Sequence, residues 1–115
     1  MEIDCNLTEQ GVCVIALNGR MHLKDLQEIE SRLRALVAGR HAIVVDLSRL
    51  ESLFSMCLRT LLLCSQLVEV RGGRLVLVAP TDHIFAVLRA SGVMSILSVY
   101  KDLSAAVSAV LIDDE

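Results

Sequence analysis

The chain has 115 residues, enough for one domain with a sizeable core and little room for a second. Hydrophobic residues make up 54% and charged residues 22%, and the formal charge of −3 comes without any run of Lys or Arg. A nucleic-acid binder needs clustered positive charge to displace phosphate counterions and aromatics to stack bases, and one Tyr, two Phe and no Trp among scattered cations supply neither. The polybasic segments that attract anionic membranes are missing too. The longest apolar candidate for a span, Leu58 to Val70, is broken by Arg59, Ser65, Gln66 and Glu69 and falls short of the roughly 18 residues a span requires. Met1-Glu2-Ile3-Asp4 is acidic where a signal peptide would carry positive charge. These features predict a cytoplasmic chain without direct membrane insertion. Its surplus of apolar residues points to surface covered by a partner.

In chain order, residues 2–8 alternate, with Ile3, Cys5 and Leu7 on one face and Glu2, Asp4, Asn6 and Thr8 on the other. This is the period of a half-buried strand. Glu9-Gln10-Gly11 turns the chain, and the apolar run Val12–Leu17 predicts a more buried strand that completes an antiparallel hairpin. After Asn18-Gly19, apolar residues at 23, 26, 29, 33, 36 and 37 form a helical stripe, with Gly39 placed as its stop. Its other face carries Lys24, Glu28, Arg32, Glu30 and Arg34 at spacings of four that support a solvated helix. His41–Leu47 is apolar and β-branched, as in a central strand buried on both faces. A second helix is predicted from Ser55 to Val70, with Leu58, Leu61, Leu62 and Val70 on its buried side and Arg71-Gly72-Gly73 as its stop, and the run Leu75–Ala79 is the next strand. Thr81-Asp82 caps a third helix ending near Ser91-Gly92. Ile96–Tyr100 is a short edge strand or an extended connection. Asp102 opens a last helix along Leu103, Ala106, Val107, Val110 and Leu111, followed by the acidic tail Asp113-Asp114-Glu115. The order β-β-α-β-α-β-α-β-α predicts an α/β fold. Its sheet is mixed but mostly parallel, with an N-terminal antiparallel hairpin and about four covering helices.

A search for catalytic chemistry finds no converging set. His22, His41 and His83 fall in three separate elements, and the sequence holds no GxSxG, P-loop, GxGxxG or HExxH pattern. Gly72-Gly73 follows a helix and precedes a strand, the wrong order for a phosphate cradle. Cys5, Cys13, Cys57 and Cys64 lack metal-ligand spacing and sit in apolar patterns, so they read as core thiols of a reducing compartment. Cys57 and Cys64, seven apart, would share an inner helix face, with a redox pair as the alternative. No cofactor is expected, and the chain reads as a binding module rather than an enzyme.

The informative segment runs Ile43-Val-Val-Asp-Leu-Ser-Arg-Leu-Glu-Ser-Leu-Phe-Ser-Met-Cys-Leu58. It is an apolar strand ending in Asp46-Leu47-Ser48, a loop, then Ser55 opening a helix. This resembles the signature of the STAS family, of the anti-sigma-factor-antagonist type. In that family Asp-Leu-Ser or Asp-Leu-Thr is followed by Asp-Ser-Ser-Gly-Leu or a close variant. Leu17-Asn18-Gly19-Arg20-Met21 resembles the family's Gly-x-Leu turn. Gly72–Val78 resembles its fourth strand, and Val87–Val93 with Ile96 and Tyr100 its third helix and last strand. The resemblance spans residues 1–115 and implies a single STAS domain.

The resemblance also implies a function in bacterial partner switching, a route of signal transduction that regulates transcription. The antagonist binds a serine-kinase anti-sigma factor or a related regulator, and the serine after the motif Asp is the phosphorylation site, reset by a phosphatase. That serine corresponds to Ser55, and the partner-binding set to Phe54, Ser55, Met56, Arg59 and His22. The motif Asp is Phe54 here, the next Ser or Thr is Met56, the Gly is Cys57, and the acidic residue after the turn is His22. If Leu53 points inward, Phe54 and Met56 form an outward apolar knob of the kind enriched at interfaces. If the register shifts by one, Phe54 is core. Ser55 either receives phosphate at a helix N-terminus or only caps that helix. The alternative function is a STAS subunit docked, without phosphorylation, in a lipid-transport or other membrane-associated complex. Nucleotide binding at the sheet edge has no phosphate-cradling motif to support it.

Overall fold

The computed structural model describes residues 1–111, so the acidic tail Asp113-Asp114-Glu115 lies outside the described residues. The described chain runs β1 (Glu2–Leu7), β2 (Cys13–Asn18), α1 (Leu26–Val37), β3 (Ala42–Asp46), α2 (Ser55–Val70), β4 (Arg74–Val78), α3 (Asp82–Ser91), β5 (Val99–Tyr100) and α4 (Leu103–Leu111). Within the sheet the strand order is β1-β2-β3-β4-β5. β1 is antiparallel to β2, and every later pair is parallel.

The central strands are apolar on consecutive residues because both faces of the sheet are covered. Ile43 and Val45 of β3 join Ile15, Leu17, Leu75 and Leu77 in a core closed by Leu33 of α1, Leu61 of α2 and Leu88 of α3. Val44 points the other way and packs with Val76, Val78, Ala106 and Val110 beneath α4. Each fully buried Leu, Ile or Val contributes about 1.5–3 kcal/mol by leaving water.

The edge strand β1 is covered on one face only. Its second face, with Glu2, Asp4 and Asn6, meets water, and the Asn18 side chain donates to Asp4 Oδ2 at 3.1 Å.

The N-termini of α3 and α4 are closed by side chains as the sequence leads one to expect. Thr81 Oγ1 accepts from the Ile84 N–H at 3.3 Å, and Asp102 Oδ1 accepts from the Ala105 N–H at 2.8 Å. Arg71, just beyond α2, donates to the Val37 carbonyl at the end of α1 at 2.7 Å. Glu30 and Arg34 pair at 3.6 Å, whereas Arg32 turns to the edge strand and donates to the Ile3 carbonyl at 3.0 Å.

Several expected burials do not occur, each where a covering element stops short. Cys5 and Leu7 lie on the inner side of β1 as predicted, but at the sheet edge no helix covers them and both are exposed. Leu23 belongs to a 3-10 turn, Leu23–Asp25, rather than to α1, and it too is exposed. Val70, expected on the inner face of α2, is 87% exposed at its last turn. In α4 the buried residues are Ala106, Ala109 and Val110, and Leu103 and Leu111 stay in contact with water. Ile96 falls in the turn before β5, with its N–H bonded to the Val93 carbonyl at 2.9 Å, and the strand itself is two residues long.

Candidate functional site

The loop between β3 and α2 is pinned at every third residue. Leu47, Leu50 and Leu53 are buried, and they hold its backbone against the core. Hydrogen bonds tie it to the end of β2. The Gly19 N–H donates to the Arg49 carbonyl at 2.9 Å, the Glu51 N–H returns to the Gly19 carbonyl at 2.9 Å, and the Met21 N–H donates to Ser52 Oγ at 3.1 Å. Gly19 sits at φ +94, a conformation other side chains resist, and this lets the two loops zip together beyond the strands. Asp46 closes the strand end by accepting the Ser48 N–H at 2.9 Å.

This scaffold presents three consecutive exposed residues. Phe54 is 37% exposed and Met56 50%, whereas Leu53 at 8% turns inward, so Phe54 is not a core residue. Phe54 is extended (φ −91, ψ 151) and Ser55 is the first helical residue. Ser55 therefore does not cap α2. The N-cap position belongs to Phe54, whose side chain makes no capping bond. The Phe54 carbonyl accepts the N–H groups of Cys57 and Leu58 at 3.0 and 3.2 Å. No acidic residue occupies the first turn of α2, which leaves the positive end of its dipole uncompensated beside the Ser55 hydroxyl.

The structure gathers Phe54, Ser55, Met56 and Arg59 on one stretch of α2, and Arg59 follows Ser55 by four residues, on the same helix face. Exposed His22 comes from the neighbouring loop, immediately after Met21, which bonds Ser52. The sequence reading missed an open groove of about 550 Å³ beside this surface, where Met56 and Arg59 meet Leu26, Glu30 and Arg34 of α1 and Leu62 of α2. Nothing local marks such a groove, because it exists only where two helices far apart in sequence pack together.

The inner side of α2 holds Cys57 and Cys64, both buried. Burial, with a smaller push from Cys64, moves the Cys57 thiol up to about 12, and burial likewise raises Cys64. Seven residues along a helix separate their backbones by about 10 Å, beyond the ~7 Å a disulfide can bridge. The redox alternative for this pair is thereby excluded. The native protein is expected to leave Cys57 and Cys64 unmodified by iodoacetamide at pH 8 until it is unfolded, checked by peptide mass mapping. Among the described residues no three His, Cys, Asp or Glu side chains come together as a metal site, and no helix is long and apolar enough to cross a membrane.

Comparison with known proteins places this geometry in a family. A family model described as "Mlab, STAS domain" matches residues 5–99. The chain is 32% identical over 100 residues to BtrV of Bordetella bronchiseptica, a protein named as a candidate anti-sigma factor antagonist, with 86% of each chain covered. A crystal structure of an anti-sigma factor antagonist from Mycobacterium paratuberculosis superposes with a TM-score of 0.81 at 25% identity, covering 95% of this chain and 94% of that one. The Bacillus cell-fate determinant SpoIIAA in its phosphorylated form superposes with a TM-score of 0.70 at 18% identity, covering 95% and 99%. With the fold, the loop motif and these matches in agreement, the chain belongs to the STAS domain family, in the company of anti-sigma factor antagonists.

Proposed function

We propose that the protein is an anti-sigma-factor antagonist that binds a serine-kinase anti-sigma factor in the cytoplasm through Phe54, Ser55, Met56, Arg59 and His22. Phosphorylation of Ser55 by that kinase ends the interaction, and a phosphatase restores it. The observation that carries this reading is the exposed Phe54-Ser55-Met56 triplet, held on a loop whose flanking leucines are buried. A surface already fixed in its bound shape loses little entropy on docking. The Ser55 hydroxyl sits in the first turn of α2, where a phosphate would meet free N–H groups, the helix dipole and Arg59 on the same face. Nearly two added negative charges beside an apolar contact would oppose binding. The work is recognition, with no bond made or broken by this chain and no cofactor required.

Incubation with the serine-kinase anti-sigma factor of the same organism and ATP tests this by intact mass. The expected result is the gain of a single phosphate, abolished in Ser55→Ala. A second reading is favoured by Phe54 and Cys57, which stand where the family pattern has Asp and Gly. It makes the chain a STAS subunit docked in a lipid-transport or other membrane-associated complex, never phosphorylated. An unchanged mass together with retained kinase binding would remove the phosphate switch and keep the docking surface.

A further inference from the structure

Cys5 and Cys13 face each other across the β1–β2 hairpin with their sulfurs 3.0 Å apart, close enough for one thiol to donate to the other. In the antiparallel register Cys5 is opposite Ile15 and Cys13 is opposite Leu7, so the two cysteines are diagonal neighbours on the same face of the ribbon. The twist of a ribbon at a sheet edge brings one diagonal together. The separation is about 1 Å more than a disulfide bond of ~2.05 Å. Their environments differ. Cys5 is exposed on the edge strand and Cys13 is buried.

We propose that Cys5 and Cys13 form a peroxide-oxidisable dithiol site, in which Cys5 is the reacting thiol and Cys13 resolves it into an intramolecular disulfide. The Cys5 thiolate attacks one oxygen of hydrogen peroxide. The O–O bond breaks, and the departing hydroxide takes up a proton and leaves as water, so that Cys5 becomes a sulfenic acid. Cys13 Sγ then attacks Cys5 Sγ. The S–O bond breaks, and the hydroxide leaves with the Cys13 proton as a second water. Two thiols give up two electrons and the peroxide accepts them. Exposure assigns the first step to Cys5, because a peroxide reaches its sulfur and not the buried one. Burial, followed by the contact with Cys5, moves the Cys13 thiol up to about 12 and keeps it protonated until it attacks.

Cys13 lies at the start of β2, whereas Ser55 follows the far end of the parallel strand β3, so the dithiol is remote from the proposed partner surface. Its closure would tie the edge strand β1 to β2.

Trypsin separates the candidates, since Met1–Arg20 contains both Cys5 and Cys13 while Cys57 and Cys64 fall in Leu50–Arg59 and Thr60–Arg71. After one equivalent of hydrogen peroxide, denaturation and alkylation, Met1–Arg20 is expected to be two hydrogens lighter than its reduced form and to carry no alkyl group. Dithiothreitol should restore two alkylation sites. In Cys13→Ser the reaction should stop at Cys5 sulfenic acid, trapped by dimedone, an adduct that wild type does not accumulate. Circular dichroism of the variant checks that the hairpin still folds. Two alkyl groups on Met1–Arg20 after peroxide treatment would overturn the proposal, as would a disulfide joining two chains through Cys5.

Discussion

Gly73→Ala is expected to destabilise the fold by about 3 kcal/mol or more, and the reason is backbone against backbone. A Cβ added at Gly73 would collide with the carbonyl oxygen of His41 and lie 2.6 Å from its Cα and 2.8 Å from its carbonyl carbon. No rotamer change relieves such a contact. The carbonyl is also the acceptor for the Arg74 N–H at 2.7 Å, the bond that opens the β3–β4 pairing. Moving His41 aside therefore sacrifices the first rung of the ladder at the centre of the sheet. Against a total stability of about 5–15 kcal/mol this is a large fraction, read as a fall in melting temperature of about 10 °C or more. The urea midpoint should drop with its slope unchanged. Gly72→Ala is the control. At φ +84 with nothing within 4 Å, it meets conformational strain alone and should cost only about 1 kcal/mol. Equal losses at the two glycines would show that the close approach of β3 and β4 is not what Gly73 serves.

Those adjacent glycines also show what the sequence could and could not say. Gly72-Gly73 was legible as the stop of α2, and α2 spans Ser55–Val70 as the apolar spacing and that stop predict. The apolar runs of β3 and β4 were legible because burial on both faces removes the alternation that a one-sided strand shows. What the pattern cannot contain is the extent of a neighbour. Cys5, Leu7, Leu23 and Val70 all carry the right spacing for an inner face, yet each lies where no partner element reaches. Phe54 could be read two ways because a loop has no period, and only the burial of Leu53 beside it fixes the register. The groove lined by Leu26, Arg34, Met56 and Arg59 joins residues that share no local pattern, so packing alone creates it. The Cys5–Cys13 diagonal depends in the same way on the hairpin register.

If the proposed partner is a serine-kinase anti-sigma factor, Phe54→Asp is expected to weaken its binding by about 2–4 kcal/mol, on the order of 30-fold to 1000-fold in Kd. Phe54 is the aromatic of the exposed triplet, and a partner that covers it and Met56 would remove both from water while their backbone is already fixed. Aspartate removes the apolar contact and would put a charge into the apolar patch that the proposed interface covers. The fold should tolerate the change, because Phe54 is 37% exposed and an Asp at this N-cap position can accept free N–H groups of the first turn and face the helix dipole, which offsets the packing lost. The two opposed effects are each about 1 kcal/mol, so the melting temperature should not fall appreciably. Ser55→Glu should weaken binding less than Phe54→Asp, since it adds one charge without deleting the aromatic, and less than a phosphate with its charge nearer two. Val70→Asp is the matched control. Val70 is 87% exposed on the same helix, but it stands about 20 Å along the axis from Met56 and outside the proposed surface. Calorimetric titration of the partner into all three variants decides the matter. If Val70→Asp weakens binding as much as Phe54→Asp, the effect is one of helix charge and the loop-helix surface is not the docking site. If Phe54→Asp weakens binding most, Val70→Asp leaves it unchanged and the melting temperature does not fall, the apolar knob that stands where the family pattern has an acidic residue is the contact that recognises the partner.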